Sequence, residues 1–534
     1  MLSRRTTIWV IAIAWLLSVL GALYAGVYAH RNREKLRSLF ESVQAGGLIQ
    51  TNLYVLRLSK IAVPAEGRDG GIDAIGDGVL VASRNGAFWF VDRDKKAHPL
   101  KLRAPVNVPE FLADPYNADT VSPERFGVKD ILVQSIPGGA RILVSHSHWY
   151  QDRDCYVLRV SFIETELEDL ISGGIDDGGR WRKAFETTPC RTLNLLKSGR
   201  RTPTLGAGGR VAAISDREIL LSVGGFGAES ELLEDSPVVR AERGSYGKAV
   251  LFDLVTGESR IYASGLRNPQ GMAVGTDAKV WLTDHGPRGG DELNLLLEGR
   301  DYGWPHVTYG TEYEMMTWPG NPHQGRHEGY EKPVFAWTPS IAVSQLVALD
   351  GDAFPLWKGD LFVSTLSAMT LYRTRLEDGR VILVEPIPVG HRIRDVAETA
   401  GGSLVMKTDD NFLVYLEPAT SDRAAGSAGA VARGEVLALQ CRGCHSMAQG
   451  GPAGIGPGLW GVVGRRVASV EGFPYSEALK AARQNLTRGR WTVKALRKFL
   501  EDPQSFAPGN SMQMTTRYTS AEISDIVAYL ETLQ

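Results

Sequence analysis

The apolar positions of this chain fall into three regimes. From Ile8 to Ala29 there is no charged side chain, and those 22 residues would form a helix of ~33 Å, enough to cross a hydrocarbon core of ~30 Å. From residue 51 to 418 no helical period dominates. Short apolar runs such as Gly78-Val79-Leu80-Val81-Ala82, Ile219-Leu220-Leu221-Ser222-Val223 and Lys279-Val280-Trp281-Leu282 alternate with Gly, Asp, Asn and Pro, which reads as β-strands joined by tight turns. Pro137-Gly138-Gly139 before Ile142-Leu143-Val144, and Thr256-Gly257 after Ala249-Val250-Leu251-Phe252, mark such strand–turn–strand units. An array of this length predicts a β-propeller, in which radial repetition protects the strand edges, and ~370 residues is too many for one sandwich. The third regime is helical. Ile523, Ile526, Val527 and Leu530 recur at helical spacing, with Thr519 or Ser520 followed by Glu522 as the N-cap signal.

These patterns divide the chain into a transmembrane signal-anchor over 1–30, a juxtamembrane helix over 31–50, a propeller over 51–418, a flexible Ala/Gly/Ser-rich linker over 419–433 and a helical domain over 434–534. Arg4 and Arg5 precede the apolar span, and Arg31, Arg33, Lys35 and Arg37 follow it, so basic residues alone do not orient it. A cleaved signal peptide ending near Ala29 is the other reading. The formal charge of −2 on 534 residues gives no reason to expect a nucleic-acid partner. The 59 glycines agree with a turn-rich β body.

Of the four cysteines, two lie in Cys441-Arg442-Gly443-Cys444-His445, the c-type haem attachment signature. Two thiols three positions apart can add to the two vinyl groups of one haem, and the next residue then offers an imidazole to the iron. A zinc site would need a second pair of ligands. One covalent haem c is therefore expected, with Cys441 and Cys444 as the thioether residues and His445 as iron ligand. Such haem is added outside the bacterial cytoplasmic membrane, which orients the anchor and places the body in the periplasm. The remaining pair, Cys155 and Cys190, is allowed a disulfide there. Two separate buried thiols remain the alternative, since the sequence does not fix their Cα separation.

Two resemblances sharpen this. Gly265-Leu266-Arg267-Asn268-Pro269-Gln270-Gly271, Thr283-Asp284-His285-Gly286-Pro287 through Asp291-Glu292-Leu293-Asn294, Asp301-Tyr302-Gly303-Trp304-Pro305, and Arg392-Ile393-Arg394-Asp395 resemble the soluble PQQ-dependent glucose and aldose sugar dehydrogenases. That resemblance implies an all-β propeller of six blades that oxidises a sugar or alcohol with PQQ. It implies that Arg267, Asn268, Arg392 and Arg394 contact the quinone, which is sensible because guanidinium groups grip carboxylates in a fork. It also implies calcium on the carbonyls of Gly286 and Pro287, with Asp291 and Glu292 close by. Residues 431–534 resemble class I cytochromes c. Pro457 falls where that family orients the proximal His, and Pro508-Gly509-Asn510-Ser511-Met512 implies Met512 as the second iron ligand, with Met514 the competitor.

The departures point the other way. Gly206 stands where the dehydrogenases have a catalytic His before a Gly-Arg step, here Gly209-Arg210. Ser367 stands in place of a PQQ-contacting Lys, and Gly224-Gly225-Phe226 in place of a Gly-Asp pair. Glycine cannot take a proton, so the catalytic residue is left unassigned, with His285 the replacement candidate. The expectation is a membrane-anchored periplasmic oxidoreductase. Its propeller would pass electrons from a quinone cofactor to haem c and on to a respiratory acceptor. The alternative is an electron-transfer cytochrome whose propeller is a degenerate, non-catalytic docking module.

Overall fold

The computed structural model describes residues 48–65, 67–114, 117, 125–172, 180–192, 194–195, 201–202, 206–227, 232–233, 236–311, 326–419, 430–438, 441, 444–451, 454–512 and 518–534. Among these no helix is long and apolar enough to cross a membrane. The span expected over 8–29 lies outside them, as does Met514.

Five four-stranded antiparallel sheets and one five-stranded sheet form the blades of a six-bladed propeller. The blades begin with inner strands Gly70–Ile75, Val128–Ile136, Gly208–Ala213, Pro269–Val274, Val343–Ala348 and Ile393–Glu398. Each inner strand neighbours the next, and the last neighbours the first, so the ring is closed. The second strand of a blade is covered on both faces by adjacent blades. Gly78–Ser83, Val280–Asp284, Leu361–Thr365 and Leu404–Thr408 are buried along their whole length, which is why the sequence shows continuous apolar runs instead of alternation. The outermost strands Ala97–Arg103 and Ser259–Ser264 are largely exposed and charged.

The ring is fastened by the start of the domain. Val55–Ala62 pairs antiparallel with Phe412–Pro418 as the outer strand of blade six, and Leu48–Gln50 adds a fifth strand to it. The juxtamembrane helix expected over 31–50 is thus corrected at its end: residues 48–50 satisfy their backbone in a sheet edge. Ala419 likewise belongs to the propeller, since its N–H donates to the Val55 carbonyl at 2.8 Å.

Blade-to-blade contact at the axis is polar. Ile72 N–H donates to Asp395, Val133 N–H to Asp73, and Val211 N–H to Asp130. Arg210 Nε donates to the Gln270 carbonyl, Met272 N–H donates to Gln345, and Ser344 Oγ donates to the Ile393 carbonyl. Every pair of neighbouring inner strands is therefore bridged by a side chain that satisfies a buried backbone group. Cys155 and Cys190 form a disulfide with Cα atoms 5.7 Å apart, resolving the alternative in favour of the bridge.

The C-terminal domain is helical: Ala430–Leu437, Glu477–Ala482, Val493–Glu501 and Ser520–Thr532. The first helix starts at Ala430, inside the segment read as linker. It packs on the last helix at Gly434, where any Cβ would run into the Asp525 carbonyl. Thr519 is the N-cap of the last helix and forms a capping box with Glu522. Leu437, Trp491, Leu496, Phe499, Ile523, Ile526, Val527 and Leu530 make one buried core.

Candidate active site

The inner strands all start at one end of the axis, and a cavity of about 220 Å³ opens there. Arg68 and Asp69 line it from the entry to blade one, Arg125 and Lys129 from blade two, and Gly206 from the approach to blade three. Asn268 and His285 line it from blade four, and Arg392 and Arg394 from blade six. Four of the sequence-named residues therefore converge here. Arg68, Asp69, Arg125 and Lys129 were missed, because single charged residues at strand entries carry no motif.

Cations dominate the walls. Arg392 immediately precedes the inner strand of blade six and Arg394 lies in it, and both donate through Nε to Asp409, each at 2.9 Å. Lys129 Nζ pairs with Asp69 at 2.8 Å. Burial pushes the Asp69 carboxyl up, but the Lys129 ammonium and then Arg394 outweigh it and hold Asp69 at about 2. The floor is Arg210, 3% exposed. Its guanidinium meets Asp130 at 2.8 Å and Asp395 at 3.1 Å, and donates to the carbonyls of Gln270 and Arg394.

The Arg267-Asn268 pair splits its duties. Asp284 clamps the backbone of both, accepting their N–H groups at 2.8 and 2.6 Å. Burial, and then Glu292, push the Asp284 carboxyl up to about 7. The Asn268 side chain faces the cavity, and its Oδ1 accepts from Gln270 at 2.7 Å. Arg267 does not line the cavity. Its Nη1 donates to the carbonyls of His285 at 2.8 Å and Gly286 at 2.9 Å, and the guanidinium lies 5.3 Å from the Trp304 ring.

That placement bears on calcium. The Gly286 carbonyl already holds a guanidinium, and the Pro287 carbonyl accepts from Ser340 Oγ at 3.3 Å. The Asp291 carboxylate is taken up by the N–H groups of Gly286, Ile341 and Ala342 and by Ser340 Oγ. Among the described residues no group of three His, Cys, Asp or Glu is arranged to hold a metal ion. As arranged, Gly286, Pro287 and Asp291 do not fit a calcium ion.

Among the described residues, His285 is the one imidazole at the cavity wall. Its Nε2 is 3.8 Å from Asp291 Oδ1, too far for a hydrogen bond. Burial lowers its pKa, the Asp291 carboxylate opposes that, and Arg267, Arg394 and Arg125 reinforce it. The ring is therefore neutral at neutral pH and able to accept a proton. Gly206 is in the left-handed region, φ +69°, and a Cβ there would stand 3.8 Å from the nearest atom of Asn268. A side chain at the position where a histidine was expected would start in ordinary van der Waals contact with Asn268, with no clash.

In the helical domain, His445 Nδ1 donates to the Pro457 carbonyl at 2.7 Å, leaving Nε2 for a metal. Gly456 lies against the ring so closely that any Cβ would collide with it. Burial lowers the His445 pKa and pushes the Cys441 thiol up to about 11. Cys441 and Met512 both pack on the domain core, while Cys444 is exposed. Asn510, anchored on the carbonyls of Pro503 and Ala507, accepts from the Met512 N–H at 2.8 Å. These residues fit a haem with an imidazole on one side and a thioether on the other.

A family model described as Glucose / Sorbosone dehydrogenase matches residues 199–414, and one described as Cytochrome c matches 431–534. The cytochrome c of Trypanosoma brucei brucei is 43% identical over 93 residues, 17% of this chain and 94% of that protein. The chain joins a glucose/sorbosone dehydrogenase propeller to a cytochrome c. The aldose sugar dehydrogenase YliI of Escherichia coli is 35% identical to it over 193 residues, 34% of this chain; the match spans about half of that relative, 46%. The crystal structure of the soluble aldose sugar dehydrogenase from Escherichia coli in the apo-form superposes with a TM-score of 0.53 at 25% identity, covering 68% of this chain and 99% of that one. The propeller thus shares the fold of that protein, and the cytochrome domain supports haem c. Residues 68–129, which supply half of the cavity's cations, fall before the matched dehydrogenase segment.

Proposed function

We propose that this protein is a PQQ-dependent dehydrogenase of the periplasm, held to the cytoplasmic membrane through residues 8–29, that oxidises a sugar or alcohol and delivers the electrons to its own haem c. The observation that carries this reading is the cation-rich cavity at the propeller axis, with His285 at its wall. Arg392 and Arg394 would grip carboxylates of the cofactor, and Asn268 would hydrogen-bond to it. PQQ, when bound, supplies a two-electron acceptor for conversion of a CH–OH group into a carbonyl. His285 takes the hydroxyl proton at its ring nitrogen, for which it must be neutral. In the cytochrome domain Cys441 and Cys444 bind the haem covalently, and His445 and Met512 ligate the iron. Held between His445 and Met512, the haem would supply one-electron transfer. The tether keeps it at high effective concentration for two successive transfers, and a respiratory acceptor outside the chain takes them onward.

The test is reconstitution of the full-length protein with PQQ, followed by haem absorbance on addition of sugars and alcohols. Reduction of the haem on substrate addition supports the reading, and Arg392→Ala should abolish PQQ uptake. Absence of PQQ binding would instead support a non-catalytic docking module, the second reading, which Gly206 favours by leaving the expected base position empty.

A further inference from the structure

Arg68, Arg125 and Lys129 fall before the segment that the dehydrogenase family model matches. They stand on blades one and two, across the axis from Asn268 and His285 on blade four. The wall is built and held. Lys407, buried, donates through Nζ to the carbonyls of Arg68 at 3.2 Å and Asp69 at 3.1 Å, fixing that entry segment. Lys129 is tied to Asp69 and to the Arg125 carbonyl. Its stem is pressed by the backbone of Gly209, where a Cβ would come within 2.6 Å of the Lys129 Cβ. Asp69 is the carboxylate partner of Lys129. Arg68 and Arg125 are exposed at the mouth.

A neutral sugar is usually met by hydroxyl-matching amides and carboxylates and by an aromatic platform under the ring. Among the described residues no aromatic side chain lines this cavity. Guanidinium and ammonium groups instead select carboxylate and phosphate, and a rim of one sign draws such ions in.

We propose that the substrate is anionic: a hydroxylated, sugar-like molecule whose carboxylate or phosphate group sits on Arg68, Arg125 and Lys129 and whose reacting carbinol points at His285. This rests on the reading above that the cavity oxidises a hydroxyl group. The reacting carbon gives one hydrogen with two electrons to the quinone, the hydroxyl proton passes to His285, and the C–O single bond becomes a carbonyl. The anionic group is unchanged.

The experiment uses the full chain loaded with PQQ, with loading measured separately by fluorescence titration. Glucose and galactose are compared with glucuronate, gluconate and glucose 6-phosphate by the rate of haem reduction. Anionic substrates should exceed neutral ones by about tenfold or more in kcat/KM, an advantage that added NaCl erodes. The uronate and phosphate arms tell which anion is preferred. Arg68→Ala combined with Arg125→Ala should raise KM for anions about tenfold with kcat little changed, and Arg→Lys at both should retain part of the affinity. Neutral aldoses turned over as well as the anions, with PQQ retained, would overturn the substrate class and leave the dehydrogenase reading standing. Loss of PQQ binding in the Arg68/Arg125 variant would assign these residues to the cofactor and overturn the proposal. A wild type that never retains PQQ removes the dehydrogenase reading and this proposal with it.

Discussion

His285→Gln is the sharpest perturbation of the chemistry, because glutamine keeps size and polarity but cannot hold a proton near neutral pH. The structure sets what the imidazole contributes. The carboxylate that could raise its basicity, Asp291, lies 3.8 Å away and is committed to the backbone of Gly286, Ile341 and Ala342. Burial and the cations Arg267, Arg394 and Arg125 therefore prevail and depress the pKa below the ordinary value for histidine. A base of that kind is available throughout the neutral range, and positioned bases contribute ~10²–10⁴ in rate, or ~3–5 kcal/mol of barrier. In the PQQ-loaded full chain, His285→Gln should lower kcat by about that factor with PQQ affinity unchanged. The sign of the pH effect follows from the direction of the shift. Wild-type activity should be flat above pH ~6.5 and fall only below it, as the imidazole protonates, and the variant should lack that acid limb. Placing Gly206→His in the variant background should recover part of the rate. Room exists at Gly206, although a side chain in the left-handed region costs ~1–2 kcal/mol. A kcat within about threefold of wild type, or an acid limb above pH ~6.5, would show that His285 does not remove the proton.

The remaining expectations reach the haem, the axis and the cation sites. Met512→Ala should lose the low-spin His/Met spectrum while Met514→Ala keeps it; the reverse would reassign the ligand. Arg210→Met strands two buried carboxylates, Asp130 and Asp395, and should destabilise the propeller by ~3–5 kcal/mol in denaturant melts, whereas a loss under ~1 kcal/mol would deny the ion cluster its structural role. Lys248, 3% exposed, donates to the carbonyls of Ala241 and Tyr246, and burial lowers its pKa to about 8. Between there and the unfolded value near 10.5 the unfolded chain binds the extra proton, so wild-type stability rises with pH. Lys248→Met should lack that rise, making the stability difference move toward wild type by up to ~3 kcal/mol from pH ~7 to ~10.5; parallel curves would refute the assignment. PQQ loading in EDTA should equal loading in Ca²⁺ while Arg267 holds the Gly286 carbonyl, and a strict calcium requirement would mean that the guanidinium swings aside.

The propeller was legible because second strands such as Gly78–Ser83 are buried on both faces and so announce themselves as unbroken apolar runs. Its closure was not. Pairing of Val55–Ala62 with Phe412–Pro418 joins residues whose local patterns contain no trace of each other, and for the same reason the end of the juxtamembrane helix expected over 31–50 is strand at residues 48–50. At the site, motif residues Asn268, His285, Arg392 and Arg394 came together as expected. Arg267 did not join them at the wall, because two backbone carbonyls one turn away satisfy its donors better than open cavity does. Arg68, Arg125 and Lys129 were invisible, since an isolated cation at a strand entry looks like any solvated charge until ring closure brings several to one axis. One signal was present in the sequence: Asp73, Asp130 and Asp395 are carboxylates within the inner strands.

Those three carboxylates couple the fold to the site. A propeller of this kind leaves inner-strand N–H groups facing the neighbouring blade, and Asp73, Asp130 and Asp395 accept them. Buried carboxylates near one another repel, and Arg210 is the cation that sits between two of them. The same guanidinium donates to the Arg394 carbonyl at 2.8 Å, so the residue that neutralises the axis also fixes the backbone from which Arg394 reaches the cavity. Arg210 is therefore a positioning residue, whose loss would disturb stability and cofactor retention together. Arg392 is half exposed and shares only Asp409, so its loss would remove retention alone. The contrast between these two arginines separates what the ring needs in order to close from what the cavity needs in order to bind.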